Sequence, residues 1–112
     1  MLLLPLLLSI SAPARAADSF DEAAWYAQTC VACHGAAGKG DGPAAAALTP
    51  KPANFTDAAF WAARTDDVVK KAIKEGGPAV GKSPIMAPLG AGLTDGQLTE
   101  VVAYLKTFKG KK

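Results

Sequence analysis

Cys30-Val31-Ala32-Cys33-His34 places two thiols and an imidazole inside one short run. In C-x-x-C-H spacing the two thiols can add across the two vinyl groups of one haem, and the adjacent imidazole is left beneath the porphyrin as an iron ligand. Composition removes the rival chemistries. Cys30 and Cys33 are the only cysteines, His34 is the only histidine, and Met86 is the only methionine besides Met1. A structural zinc ion needs four ligands of Cys/His type, and no second C-x-x-C or H-x-H completes the set. A thioredoxin-like dithiol sits in a β-α-β setting, which the hydrophobic pattern does not offer. A disulfide between cysteines so close in sequence closes too small a loop to stabilise a fold much.

Met86 is the second residue with chemistry to offer. In a helix stripe a methionine reads as core filler. Here it stands alone in Ser83-Pro84-Ile85-Met86-Ala87-Pro88, just before the last predicted helix. The flanking prolines restrict the backbone on both sides, which suits a ligand held in place. A nitrogen and a sulfur ligand would fill the iron and leave no position for oxygen or peroxide. Thioether sulfur also favours the reduced state.

Helices must position these groups. Ser19-Phe20-Asp21-Glu22 reads as a capping box that opens a first helix, with Phe20, Ala23, Ala24, Ala27, Cys30 and Val31 on its inward face and Gly35 as its end. Thr94-Asp95-Gly96-Gln97 is a second box, opening a helix to about Phe108. That helix carries Leu98, Val101, Val102, Leu105 and Phe108 at i, i+3, i+4, i+7 spacing. A short helix is expected over Asp57–Ala63 and a better one over Asp66–Glu75, capped by Thr65 and stopped by Gly76-Gly77, with Val68, Val69, Ala72 and Ile73 facing inward. No stretch alternates with period two between hairpin turns, so no sheet is expected. The Gly- and Pro-rich segments Gly35–Pro52 and Gly76–Gly92 suit loops wrapped around a cofactor.

A chain of 112 residues has room for one small domain, for which a covalent apolar cofactor would supply much of the core. The formal charge of +2 gives no case for nucleic-acid binding. Residues 1–16 read as a signal peptide, with an apolar run through Ile10 and small residues in Ala14-Arg15-Ala16, so cleavage is expected after Ala16. The run is about half of the ~20 residues that span a bilayer. The domain then occupies 17–112, exported and with no stable membrane insertion.

The order of capped helix, C-x-x-C-H, Gly/Pro loop, short helices, Pro-flanked Met and amphipathic last helix resembles class I c-type cytochromes. The stretch Cys33-His34-Gly35 through Gly40-Asp41-Gly42-Pro43, followed by Leu48-Thr49-Pro50-Lys51-Pro52, is similar to small bacterial periplasmic members. The resemblance implies an all-α cytochrome c fold, with N- and C-terminal helices packed together around one haem c. It implies thioethers at Cys30 and Cys33, His34 as proximal ligand and Met86 as distal ligand. It also places Tyr26 against Tyr104 on the last helix. Many members have a glycine where Glu22 stands, so Ala23 or Ala24 is expected at the helix crossing. Pro43 is the expected carbonyl partner of the His34 ring, with Ala46 or its neighbours as substitutes.

The implied function is a periplasmic one-electron carrier, monomeric and not an enzyme, that docks transiently with donor and acceptor redox proteins. Two alternatives stand beside it: a catalytic or sensing haem protein with a labile Met ligand, and a dedicated electron-entry subunit of a larger redox enzyme. Lys39, Lys51, Lys70, Lys71, Lys74 and Lys82 either ring the cofactor edge and steer acidic partners or are ordinary solvated lysines.

Overall fold

The computed structural model describes residues 20–83 and 85–112, together with 3 and 5. The expected leader and its cleavage site therefore lie almost wholly outside the described residues. So does Ser19 of the first box. The first helix, α1 (Glu22–Thr29), starts two residues later than that box implies. Its cap is Asp21, whose carboxylate accepts from the Ala24 N–H at 3.0 Å. After a one-residue break at Cys30 comes α2 (Val31–His34), ended by Gly35 at φ 79°. A left-handed φ of this kind is where glycine costs least.

The inward face of α1 differs from the expected one. Tyr26 is its only buried residue, and Ala23, Ala24 and Ala27 are exposed. An alanine stripe buries little area, so the one large aromatic decides the rotation of the helix. The same exposure removes Ala23 and Ala24 as the crossing point. Tyr26 meets α5 (Asp95–Lys106) as the resemblance implied, with ring centroids 5.5 Å from Tyr104, and also 5.4 Å from Phe108. Its hydroxyl donates to the Gly35 carbonyl at 2.6 Å. The α5 capping box forms as expected: Gln97 N–H donates to Thr94 Oγ1 at 3.1 Å, and Thr94 N–H donates to Gln97 Oε1 at 2.9 Å. The helix ends at Lys106, and Phe108 follows in a turn yet stays buried with Leu98, Val101, Val102 and Leu105.

Between these ends lie α3 (Ala58–Ala62), capped by Asp57, and α4 (Asp66–Glu75), capped by Thr65. Val69 and Ile73 of α4 enter the core, whereas Val68 remains 39 % exposed beside the cavity described below. α5 packs on both α1 and α4. Lys70–Asp95 at 2.8 Å and Lys106–Asp66 at 2.6 Å bridge α4 to α5 on the surface, where such pairs contribute little. Among the described residues there is no strand, and the fold is all-α as expected.

The long loops are tied down by backbone bonds. The loop after α2 turns back and donates N–H groups of Ala44, Gly42 and Gly40 to the carbonyls of Ala32, Cys33 and His34 at 2.9, 3.0 and 2.8 Å. These are carbonyls that the short helix leaves unpaired. A Cβ on Gly42 would run into the carbonyl oxygens of Val31 and Ala32, so only glycine permits this approach.

Candidate haem site

Cys30, Cys33, His34 and Met86 all line one cavity of about 490 Å³. Most of its wall is apolar, including Leu48, Pro52, Val69, Ile73 and Leu105. The CysxxCysHis segment reaches the cavity because α2 breaks from α1 at Cys30 and is held by the returning loop. Burial first, then the neighbouring Cys33, pushes the Cys30 thiol up to about 11. It is therefore a neutral thiol at neutral pH in the polypeptide alone.

His34 Nδ1 lies 3.1 Å from the Ala53 carbonyl oxygen. A carbonyl can only accept, so Nδ1 carries the proton and the Nε2 lone pair remains for a metal. Burial lowers the His34 pKa and the Ala53 bond opposes that shift; the lowering prevails and favours the neutral, ligating form. This geometry corrects the expectation at Pro43. The bonds from the Gly42 and Ala44 N–H groups to the Cys33 and Ala32 carbonyls hold Pro43 beside the α2 backbone, where it is exposed, while the ring side of His34 is met by the Ala53 carbonyl. Neither Pro43 nor Ala46 lines the cavity.

Met86 is half-buried. Its carbonyl accepts from the Gly77 N–H at 2.8 Å, and the Gly77 carbonyl in turn accepts from the Lys82 N–H at 2.8 Å. A Cβ on Gly77 would collide with the Ser83 carbonyl oxygen and lie 3.1 Å from Met86 Cβ. Gly90 repeats the device, donating to the Ile73 carbonyl at 2.8 Å. The methionine segment is thus docked on the end of α4 by glycines, in addition to Pro88. Pro84, the other expected stiffener, is outside the described residues.

Of the six lysines considered from sequence, Lys51 and Lys82 line the cavity and Lys70 is paired with Asp95. Arg64 joins them, with its guanidinium 4.2 Å from the Phe60 ring centroid and Nη1 donating to the Phe60 carbonyl at 3.0 Å. Sequence reading missed Ala53, Phe55, Arg64 and Gly77. Ala53 acts through its backbone and leaves no side-chain signal. Gly77 was legible only as a helix stop.

The donor set fits a covalent haem. Two thiols sit beside an imidazole with a free lone pair, one thioether faces the same space, and the walls are apolar. Among the described residues no group of three or more His, Cys, Asp or Glu side chains gathers as a metal-only site would require.

Comparison with known proteins agrees. The family model described as Cytochrome c matches residues 22–109. Cytochrome c-554(547) of Halothiobacillus neapolitanus is 36 % identical over 86 residues, covering 75 % of this chain and 89 % of the relative. Cytochrome c-554(548) of Halomonas halodenitrificans is 32 % identical over 76 residues, covering 68 % of this chain and 80 % of the relative. No solved structure matches this chain significantly.

Proposed function

The chain belongs to the cytochrome c family, whose members carry covalently attached haem c, and we propose that it is a periplasmic one-electron carrier with His34 and Met86 as the two axial ligands. The observation that carries this reading is the convergence of both thiols, the Ala53-bound imidazole and Met86 on one apolar cavity. Haem c, when bound, supplies a one-electron iron couple. Cys30 and Cys33 tether it, so it cannot dissociate from so small a domain. His34 offers Nε2 while Ala53 holds its other nitrogen. Met86 offers its sulfur from a loop already docked on α4, which reduces the ordering entropy lost when the ligand binds. The apolar walls exclude water and keep reorganisation on electron transfer small.

With both axial positions filled there is no site for substrate at the iron, and the protein is a carrier and not an enzyme. Lys51, Arg64 and Lys82 give the cavity mouth a positive rim that suits transient docking with acidic donor and acceptor proteins. Residues 1–16 act as the export signal, and 17–112 form the monomeric haem domain.

Met86→Ala tests the reading. The variant should lose the weak red-edge absorption band of the oxidised form, show a lower midpoint potential and gain peroxide turnover. A parent protein that already binds carbon monoxide readily and turns over peroxide would instead be a catalytic haem protein with a labile Met ligand.

A further inference from the structure

Phe55 lies face to face with His34. The ring centroids are 4.5 Å apart and the planes differ by 24°, within the range of favourable aromatic stacking. The torsion that turns a histidine ring is broad and has no sharp intrinsic minimum. Something outside the residue must therefore set the ring plane. The Ala53 carbonyl fixes the direction of Nδ1–H, which constrains the ring within its own plane. A single hydrogen bond still tolerates rocking out of that plane, because its angular preference is wide. The Phe55 ring occupies the space into which the imidazole would rock.

Phe55 is itself unable to step back. Its N–H donates to the Gly38 carbonyl at 2.7 Å, and its carbonyl accepts from Trp61 Nε1 at 2.8 Å. Phe60 meets it edge-on at 5.4 Å, and it is only 5 % exposed. The stack is thus anchored on the backbone at both sides and on an aromatic cluster behind.

We infer that Phe55 is a positioning residue for the iron ligand: it fixes the plane of the His34 imidazole through the stack, while Ala53 fixes its direction. This rests on His34 being the axial ligand. The imidazole plane, together with the axial thioether, orients the magnetic axes of a low-spin ferric haem, so with Met86 unchanged a shift in the spread of the paramagnetically shifted haem-methyl resonances reports a change in the imidazole plane. Loss of packing alone does not move that spread.

The test compares the holoprotein with Phe55→Leu, Phe55→Met, Phe55→Tyr and the core control Val102→Ala by proton NMR in the oxidised form. Phe55→Met keeps the volume without a flat face, should Phe55→Leu take up haem poorly. Both should retain the red-edge band yet redistribute the methyl shifts, and Phe55→Tyr should restore the parent pattern. Val102→Ala should lower stability and leave the pattern unchanged. Phe55→Leu and Phe55→Met with the methyl pattern of the parent would overturn the inference while leaving the axial assignment intact. His34 ring protons absent from the shifted resonances of the parent would overturn the axial assignment, and the inference with it.

Discussion

Gly77→Ala is the sharpest test of how the methionine loop is held. Gly77 does not occupy a left-handed conformation, so the new methyl costs nothing through backbone strain. The cost is steric. The added Cβ would run into the Ser83 carbonyl oxygen, with Ser83 C at 3.0 Å and Met86 Cβ at 3.1 Å. The obstacles are mostly backbone atoms that no rotamer change can move, so the 83–86 segment must shift as a unit. Overpacking of this kind costs about 1–3 kcal/mol, and weakening the Gly77–Met86 backbone bond adds about 0.5–1.5 kcal/mol. Since about 1.4 kcal/mol corresponds to a factor of ten, the variant should bind added imidazole at the iron about 10- to 1,000-fold more tightly than the parent, because Met86 competes less well. The red-edge band should weaken in parallel. Gly92→Ala is the control: nothing lies within 4 Å of its Cβ, and removing a glycine there should be neutral or stabilising by about 0.4–1 kcal/mol. Equal imidazole affinities in the two variants would refute the claim that Gly77 docks the loop.

Tyr26→Phe removes the buried 2.6 Å bond to Gly35 and should lower urea stability by about 0.5–1.5 kcal/mol near neutral pH. Burial is the main reason the Tyr26 hydroxyl pKa is raised well above its ordinary value. Its contribution is therefore full below the unfolded pKa and declines as pH climbs past about 10, so the gap between the two proteins should narrow there. Leu98→Ala, at a site 1 % exposed, should cost about 2–5 kcal/mol in chemical denaturation. The hydrogen bond from Lys70 holds the Asp95 carboxyl below its ordinary pKa. Asp95→Asn should accordingly be less stable than the parent at neutral pH and low salt, with the two melting curves converging as pH falls through the folded pKa of Asp95.

The features legible in the sequence are those whose partners lie within a few residues. Thr94 and Gln97 satisfy each other across one helical turn, Gly35 ends α2, and C-x-x-C-H carries its three donors in one segment, so side-chain type and spacing sufficed. The Leu98–Phe108 stripe was equally readable, because burying five large apolar side chains permits only one rotation of α5. The alanine face of α1 was not, since alanines bury too little area to outweigh Tyr26. The acceptor for His34 was legible least of all. Every residue carries the same carbonyl, and the one that reaches Nδ1 is 19 positions away at Ala53. Pairing His34 with Ala53, placing Phe55 on its ring and closing Gly77 against Met86 required the chain to return from a distance, and only the tertiary structure decided where it returned.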